Sequence, residues 1–266
     1  MIVLGFDTAT PATAVGLRLA DGTVLVAHDD PDAGQRPGHV TRLLPLAGEL
    51  LARANLQWAD VQRIAVGLGP GTFTGLRIGV ASARGLAQSL SIGVVGVSTA
   101  RALAEEALAE ECFADEGVVQ EGLAAHALAE ASPAVVKVAD GGTGGGVLAV
   151  IDARRGEAFA GAYTADGELI APAALAPAAL AELLESARAR RSGGRWLAVG
   201  DGALRFREPQ ERAGALVPGE DSPLHRVSAA AICRLALAVA PGAPETVLPD
   251  YVRRPDAEIA LEGAGR

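Results

Sequence analysis

The sequence is nearly without lysine. Lys137 is the only one in 266 residues, while the formal charge is −9. Nucleic-acid binding normally relies on clustered Lys and Arg facing phosphates. The charge balance therefore argues against direct, chain-wide RNA binding, though not against membership of an RNA-modifying assembly. Aromatic residues are scarce as well, at 3%. The cores must be built from Ala, Val and Leu, which supply most of the 50% hydrophobic content. Two cysteines occur, Cys112 and Cys233, too far apart for a CxxC pair or a disulfide framework. Reduced, semi-buried thiols are expected. No apolar run is long enough to span a bilayer. The start, MIVLGFDTAT, lacks the basic stretch that opens a signal peptide. A cytoplasmic protein with no membrane partner is the expectation.

Histidine is limited to His28, His39, His126 and His225. A helix-borne metal site needs two histidines about four residues apart, so that both grip one ion. No two are that close, and HExxH is absent. No metal site is expected. Nor is there a nucleophile–base pattern for a peptidase. No catalytic residue is assigned.

What is present reads as alternating strands and helices. Ile2 to Phe6 is an apolar run ending in Asp7, the pattern of a buried strand. Thr13 to Leu19 and Thr23 to Ala27 are β-rich and flank Asp21-Gly22, a dipeptide suited to tight hairpins. Val40, Leu43, Leu44, Ala47, Leu50, Leu51 and Ala54 recur at helical spacing, with Pro45 either bending that helix or marking its first regular turn. Arg63 to Leu68 is a strand, Leu76 to Leu90 a helix, and Ile92 to Val97 a strand. Ser98 or Thr99 caps the helix after it. Such alternation argues for a partly parallel sheet covered by helices.

The pattern loosens from Cys112 to the glycine run at 141–146, whose entropy opposes regular structure. This stretch is expected to be a flexible linker. The division is then 1–110 for a first lobe, 111–146 for the insertion and 147–266 for a second lobe with its tail. Val147 to Asp152, Glu157 to Thr164 and Trp196 to Val199 are strands of the second lobe. Leu175 to Arg190 and Ser228 to Val239 are its helices.

The most informative segment is GPGTFTGLRIG, Gly69 to Gly79. Pro70 fixes one φ angle while Gly69 and Gly71 free their neighbours. Thr74 is placed to cap the following helix. Gly75 and Gly79 would share one face of it and let another backbone approach. A helix start of this kind suits an anion. Three readings stay open on spacing alone: a phosphate-binding turn, a tight corner with no ligand, and a flat helix face for a partner. The segment is neither GxxxxGK[ST] nor a proper GxGxxG.

Several segments, in this order, resemble the bacterial TsaB (YeaZ) family. They are FDTAT at Phe6 to Thr10, GHVTRLLP at Gly38 to Pro45, GPGTFTGLRIG, GVST at Gly96 to Thr99, IDARRGE at Ile151 to Glu157 and PDYVRRP at Pro249 to Pro255. The family belongs to the machinery that makes threonylcarbamoyladenosine in tRNA. The resemblance implies an α/β fold of the actin/Hsp70-like (ASKHA) type, with two related lobes of mixed sheets flanked by helices. It also implies a non-catalytic subunit that pairs with a homologous catalytic subunit, TsaD, and self-associates. The ATPase partner TsaE and tRNA would be met through the complex. No cofactor of its own is implied; a nucleotide would sit, if anywhere, at the joint interface. The implied contact uses helices of the first lobe, which maps onto His39, Leu43, Leu44, Thr74, Arg77, Ile78, Val80 and Ala81. The stretch from about residue 110 to 146 is longer than the family's usual connection.

Competing readings attach to several of these residues. Asp7, Thr8 and Thr10 are either a vestigial phosphate site or the capping of a strand end. Pro11 and Ala12 stand where a kinase of this fold carries glycine, so a self-sufficient small-molecule kinase is the alternative function. His39 is a surface or capping residue, or an interface contact. Arg77 reads as a solvated helix charge, Arg154 and Arg155 as turn charges, and Arg253 and Arg254 as a solvated tail or a basic tail contact.

Overall fold

The computed structural model describes residues 1–32, 35–114 and 145–253. Three apolar segments open it: β1 (Val3–Asp7), β2 (Thr13–Arg18) and β3 (Val24–Asp29). They form an antiparallel meander, in which Gly22 supplies the positive φ of the β2–β3 turn. Helix α1 (His39–Arg53) follows, then β4 (Arg63–Gly67), α2 (Phe73–Leu90), β5 (Val94–Val97) and α3 (Thr99–Ala114). β4 and β5 run parallel to β1, giving the order β3-β2-β1-β4-β5.

The second half repeats this plan. β6 (Gly146–Arg154), β7 (Glu157–Thr164) and β8 (Gly167–Leu175) form the meander. Helix α4 (Ala179–Arg190) precedes β9 (Trp196–Val199), which pairs parallel to β6. The order is β8-β7-β6-β9. Two short helices, α5 (Asp201–Arg205) and α6 (Arg207–Arg212), lead to α7 (Ala229–Leu235). The four strands of the second sheet repeat the order of the first four of the first sheet, and two such mixed sheets, each flanked by helices, have the actin/Hsp70-like architecture.

Helices α1 and α2 bury Leu43, Leu46, Leu50, Val80 and Ala83 against one face of the first sheet. Pro45 lies inside α1, but both it and Thr41, whose carbonyl loses an N–H donor there, face solvent. The other face of the first sheet is covered by α7, through Ala231, Ile232 and Cys233. Helix α3, although it follows β5 in the chain, buries Leu103, Ala104 and Ala107 on the second sheet. Its opposite face is closed by Leu180, Leu183 and Leu184 of α4. Each half thus lends a helix to the other. The two lent helices meet where Ser228 and Arg234 both donate to Glu106, at 2.9 Å each.

Two segments differ from expectation. Gly167–Leu175 is a strand, and the helix expected from Leu175 starts at Ala179. Alternating exposure along β8 and Pro172 within it suit an edge strand. Helix α7 stops at Leu235, with Ser228 as its cap accepting from Ala231 at 3.1 Å. The insertion expected at 111–146, with its glycine run, lies mostly outside the described residues, as does Arg254.

Candidate functional site

Strand β1 delivers Asp7 to the head of the first sheet, where no part of it reaches solvent. One carboxylate oxygen accepts from the Ala9 amide at 2.8 Å and the other from the Thr99 hydroxyl at 2.7 Å. Thr99 also accepts from the Gly69 amide at 3.1 Å and donates its own N–H to the Gly69 carbonyl at 2.8 Å. Burial pushes the Asp7 carboxyl above its ordinary 3.8, against the Thr99 bond that pulls it down. Gly67 stands over it so closely that a Cβ would lie 1.7 Å from Oδ2. Thr8 is buried and donates to the Gly75 carbonyl at 2.7 Å; Thr10 is buried too. Asp7, Thr8 and Thr10 are therefore brackets inside the lobe, with no open face toward a phosphate.

The glycine-rich turn explains itself through the same residues. A Cβ on Gly71 would stand 2.4 Å from the Ala9 carbonyl oxygen, and on Gly75 1.9 Å from that of Thr8. On Gly79 it would meet the Thr8 hydroxyl at 2.5 Å. The glycines make room for the end of β1. Two of the turn's amides are spent internally: Thr72 donates to the Ala9 carbonyl at 2.7 Å, and Gly75 to the Thr72 hydroxyl at 3.3 Å. Of the three readings, the geometry fits a tight corner packed around the end of β1. The cap is Thr72, not Thr74. Thr72 keeps extended backbone angles while Thr74 is already one residue inside α2.

The corner aims α2, and the residues expected at an interface divide by helical phase. Thr74, Arg77 and Ala81 are exposed, Ile78 is half-buried, and on α1 Leu44 is 46% exposed beside Val40 at 74%. His39, Leu43 and Val80, expected at the interface, are instead buried, each at most 4% exposed. Leu43 and Val80 point into the core beneath the two helices. His39 is neither a surface nor a capping residue: its Nδ1 is 2.8 Å from the Thr13 hydroxyl. Burial lowers its pKa, opposed by Asp29.

The second lobe builds a parallel bracket. Asp201 accepts from the amides of Asp152 at 3.0 Å and Gly202 at 2.9 Å, and burial raises its pKa. Asp152 accepts from Arg205 at 2.8 Å and from the Arg154 amide at 2.9 Å. Arg154 and Arg155 both have positive φ in the β6–β7 turn. Between the lobes lies a cleft of about 180 Å³, lined among others by Thr72, Phe73, Asp152, Arg154 and Tyr251. That is small beside the roughly 300–1,000 Å³ of ordinary ligand pockets. The segment after Pro249 forms part of its wall. The Tyr251 ring lies 5.1 Å from that of Phe73 and its hydroxyl accepts from Arg77 Nε at 3.1 Å. Arg77 also covers the Phe73 ring at 3.8 Å, so it is not a purely solvated charge. Arg253 donates to Glu157 at 2.7 Å, so it is not a solvated tail residue either. Sequence reasoning missed Phe73 and Tyr251, whose only signal was two rare aromatics in segments known by resemblance. No group of three or more His, Cys, Asp or Glu among the described residues could hold a metal, and no helix among them is long and apolar enough to cross a membrane.

Comparisons with known proteins fit this geometry. A family model described as TsaD, tRNA N6-adenosine threonylcarbamoyltransferase, matches residues 33–118. The tRNA threonylcarbamoyladenosine biosynthesis protein TsaB of Escherichia coli is 32% identical over 202 residues, 76% of this chain and 72% of that protein. Among solved structures, YeaZ from Pseudomonas aeruginosa superimposes with a TM-score of 0.64 at 26% identity, over 94% of this chain and 99% of that one. A second Pseudomonas aeruginosa structure, described as similar to peptidase YEAZ, gives 0.65 over 95% and 99%.

Proposed function

The chain belongs to the TsaB family, and on that premise we propose that it is the non-catalytic subunit of a cytoplasmic complex that makes threonylcarbamoyladenosine in tRNA. It docks a homologous TsaD-type catalytic subunit through the exposed face of α1 and α2. The observation that carries this reading is the surplus of apolar surface on two neighbouring helices. Val40 and Leu44 stay exposed after Leu43, Leu46 and Leu50 have filled the core. On α2, Ile78 is half-buried and Ala81 exposed, and the glycine corner sets where that helix starts. Apolar surface gathered in this way marks an interface.

The TsaD model's match to 33–118 covers α1 and α2. Two related lobes can meet through the same pair of helices about a near two-fold axis, as like faces do in isologous dimers. A homodimer through the same face is the natural competitor of the heterodimer. The ATPase TsaE and tRNA are then met through the catalytic subunit. The chain acts by favouring the competent state of its partner, which requires tighter binding to that state than to the other. The kinase alternative is disfavoured by Asp7, which lies sealed beneath Gly67 where a metal-bound nucleotide would need it open. Reconstitution tests the proposal. The purified chain alone should neither hydrolyse ATP nor modify tRNA, and modification by the remaining components should fall when it is omitted. Turnover by the chain alone would refute the assignment.

A further inference from the structure

The segment Pro249 to Arg253 crosses from one lobe to the other in five residues. At the first lobe the Asp250 amide donates to the Leu68 carbonyl at 2.8 Å, just past β4. Tyr251 stacks on Phe73 and accepts from Arg77, both on the first turns of α2. At the second lobe Arg253 donates to Glu157 at 2.7 Å and to the Ala153 carbonyl at 3.1 Å. Its guanidinium lies 5.8 Å from the Phe159 ring. All of these second-lobe partners belong to the β6–β7 hairpin.

We infer that this segment is a strut that sets the separation of the lobes and ties it to the state of the α2 face. Tyr251 and Arg253 are two residues apart, so at most about 7 Å of extended chain joins the two attachments. The lobes cannot part at this edge unless one attachment breaks. The attachments are also of the kind that can break. They are a ring stack, a partly exposed ion pair and a few hydrogen bonds, each worth on the order of 1 kcal/mol. The α3–α7 contact, by contrast, joins the lobes through buried apolar side chains. That contact is the fixed side, and the strut is the adjustable one.

Arg77 gives the strut its second role. Its guanidinium holds both Phe73 and Tyr251, and it lies on the exposed face of α2. A partner covering that face would press on the strut, and through Arg253 on the hairpin that carries Arg154 and Arg155. This last step rests on the docking proposed above. The strut itself does not, because its contacts lie within the chain alone.

The test is the distance distribution between nitroxide labels at Ala52→Cys and Glu185→Cys in the full chain carrying Cys112→Ser, with Cys233 buried and unlabelled. Tyr251→Ala combined with Arg253→Ala cuts the strut itself. Glu157→Gln loosens its anchor without touching it. The expected result is a broader distribution in either variant, with the far-UV circular dichroism spectrum retained. A distribution unchanged in both overturns the inference, whatever the partner measurements give.

Discussion

The Thr99 hydroxyl donates a 2.7 Å hydrogen bond to the carboxylate of Asp7, 92 residues earlier in the chain. Through it the end of β1, the glycine turn after β4 and the start of α3 form one buried bracket. Removing the donor in Thr99→Val leaves a buried carboxylate short of a partner and deprives the Gly69 amide of its acceptor. The expected loss is about 1.5–3 kcal/mol, read as a lower urea midpoint at pH 7.

Asp7 also sets a pH dependence. Its folded pKa lies above 3.8, so the native state holds this proton more tightly than the unfolded chain does. Its contribution is therefore full below pH 3.8 and is lost as pH rises through the folded pKa. Asp7→Asn cannot titrate. The stability of the wild type relative to Asp7→Asn should fall as pH rises from 4 toward neutrality, by urea unfolding at each pH. A difference that stays flat or rises contradicts the burial of a raised carboxyl.

Two glycines of one helix should respond oppositely to the same change. Gly85 has nothing within 4 Å of its would-be Cβ, and Gly85→Ala is expected to stabilise by about 0.5–1 kcal/mol. A Cβ on Gly75 would lie 1.9 Å from the Thr8 carbonyl oxygen, and Gly75→Ala should cost about 1–3 kcal/mol or more through forced backbone shifts. Urea midpoints of the two variants decide it.

How much of this was legible in the sequence follows the same physics. An apolar run, two β-rich segments and Asp21-Gly22 yield β1 to β3, and helical spacing yields α1 and α2, because these signals are local. The glycine turn announces a close approach but not what approaches. Thr8 and Ala9, which pack against it, are some 60 residues away and carry no mark of it. Thr72 and Thr74 are chemically equal as caps, and only the path of the turn chooses between them. His39 is polar beside a helix start, so nothing local predicts its burial under Thr13. The exchange of α3 and α7 escapes any local signal, since an apolar helix face does not say which sheet it covers.

Cys233 is fully buried and its thiol is pushed up to about 12 by that burial. Thiolate is the reactive form. In a Cys112→Ser variant, no thiol should react with a disulfide reagent at pH 8 until urea unfolds the chain. Prompt reaction in the native state would mean that α7 opens from the first sheet.

Leu43 and Leu44 are sequence neighbours on α1, about 100° apart around the helix, at 1% and 46% exposure. Leu43→Ala should cost about 2–5 kcal/mol of stability, while Leu44→Ala should stay within about 0.5 kcal/mol of wild type. Thermal and urea unfolding read the difference. Equal losses would place Leu44 in the core and remove it from the docking face.

The proposed docking face is tested most directly by calorimetric titration of a TsaD-family catalytic subunit into the chain. Wild type should bind saturably. Leu44→Asp and Ala81→Asp, each with an unchanged urea midpoint, should bind at least about tenfold more weakly, a loss of roughly 1.4 kcal/mol or more. Undiminished affinity in both variants would contradict the proposal that α1 and α2 form the docking surface.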